Sequence, residues 1–149
     1  LTNNPGAGTE LDLINDSGQD IPVTESIALA CIEAVSQGEG VSFSMVELVY
    51  VDENEILDVN KNHLQRDYVT DIISFHYHDE GAKEHLEGSL VMCASRIEEQ
   101  AQELGVPVLH EYTRVLIHGL LHVCGLDDGT PADKALMTQK EDLYLSSIG

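Results

Sequence analysis

The stretch from Val108 to Cys124 constrains the fold more than any other part of the chain. Pro107 before it and Gly125 after it bracket a helix. At ~100° per residue, Val108, Tyr112, Val115, Leu116, Gly119, Leu120 and Val123 fall within an arc of roughly 140°. Such an arc is the core-facing side of an amphipathic helix. Ile117 and Leu121 lie outside it, so the helix must be covered from more than one direction. It therefore belongs inside the domain, where a rigid helix can hold a site. His118 and His122 are four residues apart and project from one side, beside the apolar arc.

The flanking sequence supplies the rest of a single α/β (α+β) domain. Residues 1–9 read as a flexible arm and residues 10–149 as the domain. Glu10 to Asn15 alternates like a strand, and Asp16-Ser17-Gly18 is a turn. Thr24 caps a helix that runs through Ile27, Cys31 and Val35 to a stop at Gly38. Phe43 to Val51 is a strand, and Asp52 with Glu55 opens a helix towards His63. Asp71 to Tyr77 is a strand, His78 to His85 a polar loop, and Gly88 to Cys93 a fourth strand. Ser95 caps Arg96 to Leu104, which ends at Gly105. Thr130, Pro131 and Asp133 start a last helix through Leu136, Leu143 and Leu145. This order predicts a small mixed sheet packed against about five helices, with residues 71–77 and 88–93 as a hairpin.

Composition bounds the rest. Of 149 residues, 27 are Asp or Glu and seven are Lys or Arg, a formal net charge of −20. The hydrophobic fraction of 42% is that of a globular domain, so the acid does not signal disorder. No apolar run approaches the ~18 residues of a membrane span. No Lys or Arg precedes Lys61, so the basic region of a secretory signal is missing. Cys31, Cys93 and Cys124 are odd in number and widely spaced. They read as reduced thiols of a cytoplasmic protein, not as a disulfide framework or a thiolate zinc site. An acidic surface repels phosphates and anionic lipids, so composition alone disfavours nucleic acid and membrane partners.

The histidine pair points to a metal site. Two imidazoles at this spacing can converge on one metal at about 2.0–2.1 Å each. Gly125 lets the chain fold back, so that Asp127 or Asp128 can bring a third, oxygen ligand. Three protein ligands with a fourth position left for water are the pattern of a catalytic zinc site. The residue after the first histidine is Gly119, where an H-E-x-x-H peptidase has its general base, so peptide hydrolysis is disfavoured. Glu111 lies on the same stripe, but about 10 Å along the axis at ~1.5 Å per residue. It suits a surface contact or a hydrogen bond behind the site. His76 and His78 share a strand face at i, i+2, and His85 and His110 read as surface or loop residues.

From His118 to Asp128 the chain reads His-Gly-Leu-Leu-His-Val-Cys-Gly-Leu-Asp-Asp. It resembles the YbeY family of bacterial rRNA-processing endoribonucleases, whose signature is H-G-x-L-H-x-x-G-x-D-H. Asp67 to Phe75 is similar to that family's D-x-P-T-D-V-L-S-F strand motif, with Val69 in place of Pro. Gly88 to Met92 is similar to its G-D-I-x-I strand. The resemblance spans roughly residues 45–145. It implies a mixed sheet packed against helices, with zinc held in a cleft by the histidine helix. It also implies a metal-dependent endoribonuclease of single-stranded RNA that matures the 3′ end of 16S rRNA and serves ribosome quality control.

Carried over residue by residue, the resemblance implies one Zn²⁺ on His118, His122 and Asp128. Asp128 stands where the family has its third histidine, and zinc accepts a carboxylate there. The added negative charge should make the metal a weaker Lewis acid. Leu64 stands where the family has an Arg, Arg66 is a candidate RNA contact nearby, and Ser89 replaces a strand Asp. Asp127 is a candidate proton acceptor or hydrogen-bond partner of a ligand histidine. Attack by water and attack by the RNA 2′-OH both stay open. The implied partners are single-stranded rRNA and the ribosome, with no DNA. The competing readings are a metal-dependent hydrolase of another substrate class, and a non-catalytic ribosome assembly factor with structural zinc. The cations Lys61, Arg66, Arg96 and Arg114 lie in the family-matching region. The acidic excess also resembles a salt-adapted surface, on which stability and RNA binding improve as salt rises.

Overall fold

A computed structural model describes residues 8–148. Its elements are β1 (Glu10–Asn15), α1 (Glu25–Glu39), β2 (Phe43–Val51), α2 (Glu53–Leu64), β3 (Ile72–His76), β4 (Leu86–Cys93), α3 (Ala94–Leu104), α4 (Val108–Val123) and α5 (Pro131–Ile148). The strands form one sheet in the order β1-β2-β4-β3. β1, β2 and β4 are mutually parallel, and β3 pairs antiparallel with β4. The single-domain mixed sheet with five helices agrees with the sequence reading. Most of the arm read at residues 1–9 lies outside the described residues. Thr9, at its end, is tied to the sheet by its hydroxyl, which donates to the Phe43 carbonyl at 2.8 Å.

Caps read from sequence form where side-chain chemistry allows. Thr24 Oγ1 accepts from Ile27 N–H at 3.2 Å, Asp52 Oδ1 from Glu55 N–H at 2.9 Å, and Thr130 Oγ1 from Asp133 N–H at 3.1 Å. Elsewhere tertiary packing moves the boundary. α1 runs past Gly38 to Glu39 and ends at Gly40, whose φ of 68° supplies the left-handed stop. Gly38 is small for another reason: a Cβ there would lie 2.2 Å from the Tyr144 ring of α5. α3 starts at Ala94, directly after β4, with no side-chain cap. Ser95 lies in its first turn, and its hydroxyl donates to Glu53 at 3.2 Å. β4 starts two residues earlier than the sequence suggested, because Leu86 pairs with Phe43. β3 is shorter than read, at Ile72–His76.

α4 packs against α1, α3, α5, β3 and β4. This encirclement explains its apolar residues on all sides, with Ile117 and Leu121 as fully buried as Leu116 and Leu120. Val108 alone leaves the expected arc, as it is 40% exposed in the first turn. The opposite face of the sheet holds a smaller cluster under α2, centred on Val51, Ile56, Ile73 and Cys93. α5 does not bury Leu136 or Leu143. Its inner face is Met137, Glu141 and Tyr144, at i, i+4 and i+7. Lys140 and Tyr144 both bind Glu39 at the end of α1, which fixes the rotation of α5 and turns Glu141 towards α4.

Gly119 is the closest approach of α4 to the sheet. A Cβ there would lie 2.5 Å from Ile72 Cδ1 and 2.9 Å from Leu90 Cδ1. The position between the two histidines is therefore glycine for packing, and the Glu of an H-E-x-x-H peptidase has no room. Gly119→Ala should lower stability by about 1–3 kcal/mol, the usual cost of overpacking. Equilibrium urea unfolding checks this, and a midpoint equal to that of the unsubstituted protein would refute the close contact.

Candidate metal centre

His118 and His122 stand one turn apart near the end of α4, and Gly125, with φ of 100°, turns the chain so that Asp128 reaches them. His118 Nε2 and His122 Nε2 are 3.0 Å apart, and each is 3.5 Å from Asp128 Oδ2. A tetrahedral ion with bonds of about 2.0–2.1 Å needs ligand atoms about 3.3 Å apart. The triangle matches that requirement. It is the only group of three or more metal-ligating side chains of this kind among the described residues. Of the two aspartates the sequence left open, Asp128 joins the histidines. Asp127 is exposed on the cleft wall and makes no hydrogen bond or ion pair among the described residues.

The contact behind His118 comes from an unexpected residue. His118 Nδ1 lies 2.6 Å from Glu141 Oε2. An ionised carboxylate only accepts, so Nδ1 carries the proton and Nε2 presents its lone pair to the triangle. Burial opposes a charged His118, but the hydrogen bond and charge of Glu141, with Asp128 and Asp71, outweigh it and raise its pKa.

Glu141 is itself held. Arg114 Nη1 donates to Glu141 at 3.1 Å, and Arg114 also binds Glu111 through Nε and Nη2. Gln100 Nε2 donates to Glu111 at 3.0 Å and to Asp71 at 3.1 Å. A polar chain thus runs from Asp71 in the cleft through Gln100, Glu111, Arg114 and Glu141 to His118. Glu111 is fully buried, not at the surface. It fits the other half of the sequence reading, a contact behind the site. The hydrogen bond from Arg114 raises the guanidinium pKa against the effect of burial, so the arginine stays charged.

Sequence reasoning missed Glu141, Gln100 and Asp71. A signal existed for two links of the chain. Glu111, Arg114, His118 and His122 share one stripe of α4, and Glu141 occupies a buried-stripe position of α5.

The triangle opens onto a cleft of about 840 Å³. Leu64, Arg66 and Asp71 to Ser74 line it on one side, and His76, His78 and Gly81 elsewhere. His76 and His78 have ring centroids 5.1 Å apart, and His78 Nδ1 accepts from Glu87 N–H at 3.1 Å. His85 and His110 are exposed. Of the four cations singled out in sequence, Arg66 alone lines the cleft. Lys61 pairs with Asp67, Arg96 with Glu99 and Glu103, and Arg114 with the buried glutamates. Ser89 is buried; it donates to Glu47 at 2.9 Å and accepts from the Tyr77 hydroxyl at 3.0 Å. The cysteines are free, and burial pushes the Cys31 and Cys124 thiols up to about 12, so neither is a poised nucleophile. Among the described residues no helix is long and apolar enough to cross a membrane.

Fold and cluster together define a class: a mixed-sheet α/β domain whose buried helix presents to a cleft a two-histidine, one-carboxylate cluster that could hold a metal ion. Comparison with known proteins is specific. The family model described as Endoribonuclease YbeY matches residues 14–149. The protein named Endoribonuclease YbeY from Chlorobium luteolum is 38% identical over 123 residues, covering 81% of this chain and 88% of the relative. Its namesake from Chloroherpeton thalassium is 38% identical over 130 residues, covering 87% and 89%. That from Bacteroides thetaiotaomicron is 33% identical over 115 residues, covering 77% and 82%. The solution structure of TM1509 from Thermotoga maritima superposes with a TM-score of 0.62 at 21% identity, covering 93% of this chain and 89% of that one, and shows the shared fold. This chain belongs to the YbeY family.

Proposed function

We propose that this protein is a zinc-dependent endoribonuclease of single-stranded RNA, acting in the cytoplasm on the 3′ end of 16S rRNA and in ribosome quality control. One observation carries the reading: the triangle of His118, His122 and Asp128 has tetrahedral ligand spacing and faces an open cleft. Its relatives' names supply the substrate class. An N₂O donor set suits zinc. Zinc bound there would supply Lewis acidity towards a phosphodiester and an acidified water.

The protein's own groups do the rest. Glu141 fixes the His118 tautomer, and Arg114 fixes Glu141. Arg66 offers a cation at the cleft, and the exposed Tyr68, whose hydroxyl accepts from Arg66 at 3.4 Å, offers a stacking face beside that arginine. Asp127, exposed on the same wall, is free to take a proton. The packing at Gly119 disfavours a peptidase.

Incubation of the purified protein with single-stranded RNA, with and without a chelator, tests the reading. Cleavage should stop with chelator and return on adding Zn²⁺. RNA binding without chelator-sensitive cleavage would shift the function to a non-catalytic ribosome assembly factor.

A further inference from the structure

The seven cations of the chain are scarce enough to be followed one by one. Lys61, Arg96, Arg114 and Lys140 are held in ion pairs with carboxylates. Lys83, Arg66 and Lys134 form no ion pair among the described residues. Two of them, Arg66 and Lys134, line the cavities that the His118–Asp128 cluster borders. Arg66 lines the main cleft, and Lys83 follows Gly81 and Ala82 of its wall. Lys134 lines a second, smaller cavity of about 220 Å³ with Arg114, His118, Asp128, Met137 and Glu141.

His118 and Asp128 border both cavities, so the cluster is reached from two sides. On the α5 side the carboxylates are already engaged. Glu141 is held by Arg114 and His118, and Asp128 belongs to the metal triangle. The charge of Arg114 is offset by Glu111 and Glu141. Lys134 is therefore the one uncompensated cation lining that cavity. It stands in the N-terminal part of α5, where the helix dipole disfavours a cation, so helix stability does not account for it.

We propose that Lys134 and this cavity form a second phosphate subsite, which binds the RNA backbone on the α5 side of the metal while Arg66 meets it on the cleft side. The proposal rests on the RNA reading above. A strand with its scissile phosphate at the cluster has neighbouring phosphates on both sides. In a protein this acidic, each needs a local cation. The subsite binds a phosphodiester group, not a base, so it contributes affinity and register without sequence preference.

The test uses zinc-loaded protein and a labelled 2′-O-methyl single-stranded RNA, with binding read by fluorescence anisotropy from about 50 to 200 mM salt. Cleavage of the unmodified strand is followed separately. One phosphate contact on single-stranded nucleic acid contributes about 0.7 to the slope of log affinity on log salt. Lys134→Gln should change the slope by that amount and weaken binding roughly fivefold near 0.1 M salt. Lys134→Arg should restore both, and Arg96→Gln, remote from both cavities, should alter neither. Equal affinity and slope for Lys134→Gln and the unsubstituted protein would overturn the subsite, as would failure of the unsubstituted protein to bind the RNA. Lys134-dependent binding without cleavage of the unmodified strand would overturn the nuclease reading and leave the subsite standing.

Discussion

His118→Ala should leave the protein folded but unable to retain zinc through dialysis, with RNA cleavage falling about 10³-fold or more. The magnitude follows from the several kcal/mol of charge stabilisation that a metal ion supplies, at about 1.4 kcal/mol per factor of ten. On the proposed assignment, the substitution removes one of three ligands and leaves His122 and Asp128 to hold the ion alone. Metal analysis after dialysis is the direct measurement, and full zinc occupancy in the variant would sink the ligand assignment. Glu141→Gln provides a graded companion. It keeps the shape but weakens the contact that fixes the Nδ1 proton. Loss of such a partner costs about 10–100-fold in metal affinity. Chelator competition should place Glu141→Gln between the parent and His118→Ala. Proton and metal compete for His118, whose pKa is raised, so zinc affinity in the same assay should rise with pH.

Arg114→Leu should destabilise the fold more than any other single change considered. Its guanidinium is the shared partner of Glu111, which is fully buried, and of Glu141, which is 4% exposed. Removing one side of a buried ion pair costs about 3–5 kcal/mol, because the other side stays charged without a partner. Arg114 keeps some solvent contact, so the lower end applies, about 3 kcal/mol. In a domain of this size that corresponds to a drop of roughly 6–12 °C in Tm. Thermal unfolding followed by circular dichroism measures it, and a shift of under about 2 °C would show that the network contributes little. Adding Glu111→Gln to Arg114→Leu should recover part of the loss, since it removes the stranded charge.

Much of the centre was legible in the chain. The His118–His122 spacing, the exit at Gly125 and the caps at Thr24, Asp52 and Thr130 are short-range features, and each appears in the structure. The net charge of −20 was legible too, but its meaning was not. On composition alone it counted against RNA and the family motifs pointed to RNA; the structure adds only which cations are held in ion pairs. The stop of α1 was misread because Gly38 serves the distant Tyr144 and not the helix end.

Local sequence determined that an encircled helix carries two imidazoles on one side, four residues apart, because periodicity and capping are encoded within a few residues of each other. Tertiary structure alone decided what stands behind them. Asp71, Gln100 and Glu141 come from a strand edge, α3 and α5, and no spacing rule relates them to α4. They meet because burial of Met137 and Tyr144 sets the rotation of α5, which places a carboxylate against His118.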